Sequence, residues 1–248
     1  MEAHIQCRDA QVRAIEAREV TKAFGLVQAL RGVTLDVPQG ESLVIFGPNG
    51  AGKTTLLKIA ATLVRPSSGT LRLFGVDPRR DEMIRRMVGV VSHHSYLYVG
   101  LTAVENLQFA ARLYGIPDAL TRAEALIDAV GLWDRRHDPV RTYSRGMMQR
   151  LSIARALVHD PSLLLLDEPY TGLDRHAATL FTSLLEQLRG ARTIVMTTHS
   201  IEQGLALAYR VAILVDGMIA YEGRDGLADQ RTLERIYADC VEAMAWVH

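Results

Sequence analysis

Leu43-Val44-Ile45-Phe46-Gly47-Pro48-Asn49-Gly50-Ala51-Gly52-Lys53-Thr54-Thr55-Leu56-Leu57 is an apolar run, a glycine-rich loop and the start of an apolar helix, in that order. Gly47 to Thr54 fit the G-x-x-x-x-G-K-[ST] phosphate-binding pattern. The order carries the chemistry, because such a loop works only as the turn between a buried strand and the first turn of a helix. There, backbone N–H groups and the helix N-terminus converge on phosphate oxygens. Glycines let the backbone close around the anion with no Cβ in the way. Lys53 supplies charge for β- and γ-phosphates, and the Thr54 hydroxyl is placed to ligand Mg²⁺. Gly47, Pro48, Asn49, Gly50, Ala51, Gly52, Lys53, Thr54 and Thr55 are thus the candidate phosphate cradle.

The rest of the composition sets bounds. A chain of 248 residues fits one large α/β domain or one domain with lobes, and can bury a substantial core. Basic and acidic residues balance at 28 each, which argues against a generally basic surface for nucleic acid. The short pairs Arg79-Arg80, Arg85-Arg86 and Arg135-Arg136 are expected on solvated faces. Cys7 and Cys240 lack metal-ligand spacing and are expected as free thiols in a reducing compartment. Met1-Glu2-Ala3-His4 has no basic and apolar leader pattern, and no apolar run approaches the ~18–20 residues of a membrane span.

Between Ile15 and Phe46 the pattern predicts short strands and turns, with Val33–Val37 alternating. Thr70–Phe74 alternates again, so a small antiparallel layer beside the phosphate-loop strand is expected. After the β-branched strand Val88–Val91, about sixty residues carry helical texture. Thr102-Ala103-Val104-Glu105 opens a first helix as a capping box, Leu120–Val130 forms a second, and a third begins near Ser144. Residues 93–160 are expected as a helical lobe inserted into an otherwise α/β domain spanning 15–248. Residues 1–14 precede that domain, and a short helical tail covers about 227–248. Ser162–Leu166 and Thr193–Thr197 predict buried strands, the first of them as in a central parallel sheet, Ala177–Leu188 an amphipathic helix, and Val211–Tyr221 a hairpin turning at Asp216-Gly217.

Leu163-Leu164-Leu165-Leu166-Asp167-Glu168 is the second nucleotide signal. A carboxylate at the C-terminal end of a buried parallel strand faces the crevice where α/β sheets bind ligands. Asp167 suits Mg²⁺ through its water shell, and Glu168 suits orienting or activating a water. Two adjacent carboxylates beside metal and triphosphate imply hydrolysis more than binding alone.

Tyr143-Ser144-Arg145-Gly146-Met147-Met148-Gln149-Arg150 resembles the L-S-G-G-Q-x-Q-R signature of ATP-binding cassette (ABC) ATPases. With Glu168–Asp174 and Thr197-Thr198-His199, the ordered motifs from about Ile15 to Gly223 resemble one whole cassette, a P-loop NTPase core with a mostly parallel sheet. That likeness implies roles. Phe24 matches the aromatic that stacks on adenine, His199 the switch histidine that reaches the γ-phosphate, and Asp174 the aspartate linking two sites across a dimer. Ser144 and Gly146 match the residues that contact the γ-phosphate of the other protomer, implying a head-to-tail dimer that clamps two ATP molecules.

Two departures from the family pattern stand out. Arg145, Met147 and Tyr143 replace a glycine, a glutamine and a leucine, which implies altered packing around the kept Ser144 and Gly146. In His93-His94-Ser95-Tyr96, His94 falls where the family's glutamine is expected. A neutral imidazole there can ligand metal or hydrogen-bond water, giving turnover that falls at mildly acid pH. The other reading leaves His94 facing solvent.

The resemblance implies an ATP-hydrolysing subunit of a transporter, peripheral on the cytoplasmic face of the cell membrane. Its implied partners are a separate integral-membrane permease and a second cassette. Leu101–Phe109 and Ser144–Met147 resemble the export branch, including haem exporters of cytochrome c maturation. The rivals are a soluble ABC ATPase acting on ribosomes or DNA, a P-loop kinase or GTPase, and a catalytically dead cassette. No N-K-x-D guanine motif occurs, and Lys53, Asp167, Glu168 and His199 are all present.

Overall fold

The computed structural model describes residues 12–92, 95–224 and 229–245. Three strands, β1 (Arg13–Phe24), β2 (Val27–Pro38) and β4 (Ser68–Leu73), form an antiparallel sheet in the order β2-β1-β4. Six more form the central sheet in the order β5-β6-β7-β3-β8-β9: β3 (Ser42–Phe46), β5 (Val88–Val91), β6 (Leu163–Asp167), β7 (Thr193–Thr197), β8 (Arg210–Val215) and β9 (Met218–Gly223). All neighbours in it are parallel except β8 and β9, the hairpin anticipated at Asp216-Gly217.

Among the described residues seven α-helices accompany the sheets: α1 (Lys53–Ala60), α2 (Ala103–Leu113), α3 (Ala119–Ala129), α4 (Arg145–Leu157), α5 (Arg175–Leu188), α6 (Ile201–Leu207) and α7 (Gln230–Ala245). Helices α2, α3 and α4 fall between β5 and β6 and pack on one another. The capping box is formed: Thr102 accepts from the Glu105 N–H, and the Glu105 carboxylate accepts from the Thr102 N–H.

Side-chain alternation on the central strands builds two cores. Val44 and Phe46 on β3, with Leu164 and Leu166 on β6, join the layer that includes α2 to α6. Leu43 and Ile45, with Leu163 and Leu165, face the other way and pack against β1, β2 and α1. All eight are fully buried, so these strands read as unbroken apolar runs. Arg210 fastens the two sheets, donating from Nε to the buried Glu41 carboxylate at 2.6 Å and from the guanidinium to the Asp36 carbonyl.

Helix α6 was not anticipated. It is only seven residues long, capped by Ser200, and Gly204 within it lies against Phe46 where a Cβ would clash. The tail helix begins at Gln230. Cys240 is a half-buried free thiol. Cys7, His93, His94 and most of the segment 1–14 lie outside the described residues.

Candidate nucleotide site

The central position of β3, between β7 and β8, sets where the loop Gly47–Gly52 emerges. Helix α1 follows with Gly52 at its N-cap, φ +102°, and no side chain caps its first N–H groups. Gly52 is required twice over: its φ is left-handed, and a Cβ would run into the Ala29 carbonyl oxygen. The loop therefore offers bare backbone donors at a helix N-terminus, with no acidic side chain in the first turn. Lys53 is buried, and its ammonium donates to the Gly47 carbonyl at 2.6 Å and the Pro48 carbonyl at 3.0 Å. Burial pushes its pKa below the ordinary lysine value, against the opposing pull of the Glu168 and Asp167 charges.

Parallel pairing of β6 with β7 sets Asp167 opposite Thr197. Asp167 Oδ1, buried, accepts from Thr197 Oγ1 at 2.7 Å and from Thr54 Oγ1 at 3.1 Å. Two hard oxygen donors at this spacing, Thr54 Oγ1 and the Asp167 carboxylate, suit a magnesium ion that takes most of its ligands from water and phosphate. Glu168 comes next with φ +49°, a left-handed conformation that is rare for a residue with a side chain. Its N–H donates to the Thr197 carbonyl at 3.1 Å, and its carboxylate lies 2.9 Å from His199 Nδ1. Facing a carboxylate, Nδ1 carries the hydrogen and donates it, leaving Nε2 of the well-exposed imidazole for another partner. Lys53, Thr54, Asp167, Glu168 and His199 thus converge at the C-terminal ends of β3, β6 and β7.

A second group forms around the start of α4. Ser144 is its N-cap, accepting from the Met147 N–H at 3.2 Å. Gly146 and the Arg145 stem both lie against Gly172. Asp174 caps α5, accepting from the Ala177 N–H at 2.8 Å. Gln149, buried in α4, donates to the Pro169 carbonyl at 2.9 Å and ties this group to the turn after Glu168. Phe24 is half exposed at the β1–β2 hairpin tip, its ring 4.9 Å from Lys22 Nζ, and no described contact joins it to either group.

Thr197 and Gln149 were missed as site residues by the sequence reading. The first precedes His199 by two residues and depends on sheet register. The second stands inside the signature stretch, where its position was the only available signal.

Residues 30–171 match the family model described as ABC transporter. The chain is 40% identical over 218 residues to the daunorubicin/doxorubicin resistance ATP-binding protein DrrA of Streptomyces peucetius, covering 86% of this chain and 66% of that protein. It is 38% identical over 203 residues to the ABC transporter ATP-binding protein NatA of Bacillus subtilis, covering 80% of this chain and 82% of NatA. Against the phosphonates import ATP-binding protein PhnC of Anaeromyxobacter dehalogenans identity is 35% over 240 residues, 90% of this chain and 48% of that one. The fold superposes with a TM-score of 0.78 and 28% identity on a dimeric post-hydrolysis state of the ATP-binding cassette MJ0796 bound to ADP and Pi, covering 84% of this chain and 97% of that one. Sequence and fold agree over most of the chain: it belongs to the ABC transporter family as an ATP-binding cassette, the ATPase module of that family.

Proposed function

We propose that this cassette binds and hydrolyses ATP with Mg²⁺ as part of a dimer that drives an integral-membrane permease. The observation that carries the reading is the convergence of Thr54 on Asp167 and of His199 on Glu168 beside a buried lysine at the mouth of one crevice.

The loop amides and Lys53 hold the β- and γ-phosphates. Thr54 and Asp167 hold Mg²⁺, which when bound neutralises charge on the phosphate oxygens. Glu168 accepts the proton of the attacking water as its oxygen bonds to the γ-phosphorus. The bond to the bridging oxygen breaks, and that electron pair leaves with ADP. His199, its Nδ1–H engaged by Glu168, presents Nε2 to the γ-phosphate. Phe24 offers a face for adenine. Ser144, Gly146 and Asp174 act on the nucleotide held by the other copy, and the dimeric ADP-and-Pi-bound relative supports this arrangement.

The permease meets a cavity of about 450 Å³ between the central sheet and the helical layer, lined by Leu63, Val90, Tyr96, Ala110, Tyr114 and Arg155. The cassette acts from the cytoplasmic face of the cell membrane as a peripheral subunit, and no described helix is long and apolar enough to cross a membrane. Export is the favoured direction, supported by the drug-resistance relative. Haem as cargo rests on the likeness of Leu101–Phe109 and Ser144–Met147 alone.

The test is Glu168→Gln. It should keep ATP affinity, lower turnover by about 10²–10⁴-fold, and form a dimer that persists with ATP and dissociates with ADP. Unchanged turnover would remove Glu168 from the reaction.

A further inference from the structure

Arg145 is the departure that the cassette pattern leaves unexplained, since a glycine stands there in the signature it resembles. It is the first residue of α4, directly after the Ser144 cap, and is exposed. A cation at a helix N-terminus opposes the helix dipole, the reverse of the usual preference for acidic residues there. The first turn of α4 holds no acidic residue that would offset it. Among the described residues the guanidinium makes no hydrogen bond and no ion pair.

The side chain is nonetheless held. The Arg145 Cγ, Cδ and Nε lie within 3.0–3.1 Å of the point where a Cβ on Gly172 would sit. Gly172, with φ +85°, keeps that space open, and Gly146 abuts the Gly172 carbonyl from the same helical turn. The stem therefore lies against Gly172, while the charged end has no partner among the described residues. Ser144, Arg145 and Gly146 together form a cationic, hydroxyl-bearing surface at the start of α4.

We propose that Arg145 reaches across the dimer and donates to the γ-phosphate of ATP held in the partner copy's Gly47–Thr55 loop, acting as a catalytic residue supplied in trans. This rests on the clamped-dimer reading above and adds one residue to it. A planar guanidinium gives two donors to phosphate oxygens and stabilises the negative charge on them as the bond to ADP breaks. Gly172 is then the residue that allows the arginine to take the required path.

The experiment compares full-length Glu168→Gln with Glu168→Gln/Arg145→Gln and Glu168→Gln/Arg145→Lys by analytical ultracentrifugation with ATP. Turnover of the single Arg145 variants is measured in parallel, and thermal midpoints confirm folding. Glu168→Gln should dimerise, the Gln double variant should need at least about tenfold more protein to do so, and Lys should restore part of the loss. Turnover of Arg145→Gln should fall about 10–10²-fold with ATP binding to the monomer unchanged. Equal dimerisation and turnover for Arg145→Gln would overturn the role of Arg145 alone. So would equal loss with Gln and Lys, which would mark a packing role for the stem. A Glu168→Gln protein that stays monomeric with ATP would overturn the clamp and this proposal together.

Discussion

Lys53 is held ready for an anion. Burial disfavours its charge before nucleotide arrives, and the two nearby carboxylates offset only part of that penalty. Because its folded pKa lies below the unfolded value, the unfolded chain binds more protons between those two points, so stability of the ligand-free protein rises with pH across that window. Urea melts taken at rising pH toward the ordinary lysine value of about 10.4 should show this rise. It should be smaller in Lys53→Met, which should also lose ATP binding. At Gly52 the left-handed backbone and the nearby Ala29 carbonyl oppose any side chain. Gly52→Ala should lower the urea stability by about 1–3 kcal/mol and weaken ATP binding. Thr197→Val removes a hydroxyl that donates to Asp167 and should lower turnover about tenfold while leaving the fold intact. Most of the cluster was legible because glycine loop, lysine and threonine are contiguous, and because Asp167 and Glu168 end an unbroken apolar strand. Thr197 was not, since its role depends on which residue of β7 stands beside Asp167, and register between strands thirty residues apart leaves no local mark. The left-handed turn at Glu168, which aims its carboxylate at His199, was equally invisible.

Helix α2 shows how local chemistry anchors a distant loop. Asn106 is buried and fully used: Nδ2 donates to the Tyr98 carbonyl at 3.0 Å and the Thr102 carbonyl at 2.9 Å, and Oδ1 accepts from the Tyr98 N–H at 2.8 Å. It pegs the Tyr98–Leu101 turn to the helix. Asn106→Leu leaves the Tyr98 N–H without its partner, while the Tyr98 carbonyl keeps the Leu101 N–H, and should cost about 1–3 kcal/mol in urea unfolding. The same change should raise hydrogen exchange at Tyr98 before the rest of α2. The start of α2 was readable from Thr102 and Glu105, whose spacing is the signal itself. Helix α6 was not: seven residues give too little periodicity, and Gly204 inside it reads as a breaker until Phe46 is seen packed against it.

Across the whole molecule the two sheets meet through Arg210, which grips Glu41, Glu222 and the Asp36 carbonyl while itself almost buried. The alternation of Leu43, Val44, Ile45 and Phe46 announced a strand buried on both faces. The apportioning of strands between two sheets was only partly visible, since it needs pairings far apart in sequence. Ser42 pairs with Ile194 and Leu43 with Arg210, so the strand that bears the phosphate loop is flanked by segments made roughly 150 residues later. During synthesis the loop therefore leaves the ribosome long before the strands that fix its position. Fragments that stop ahead of Thr193 should retain no ATP affinity, although they contain every residue of the glycine loop. Nucleotide capture thus reports that β7 and β8 have been translated and docked, and it can serve as a readout of when this chain finishes folding.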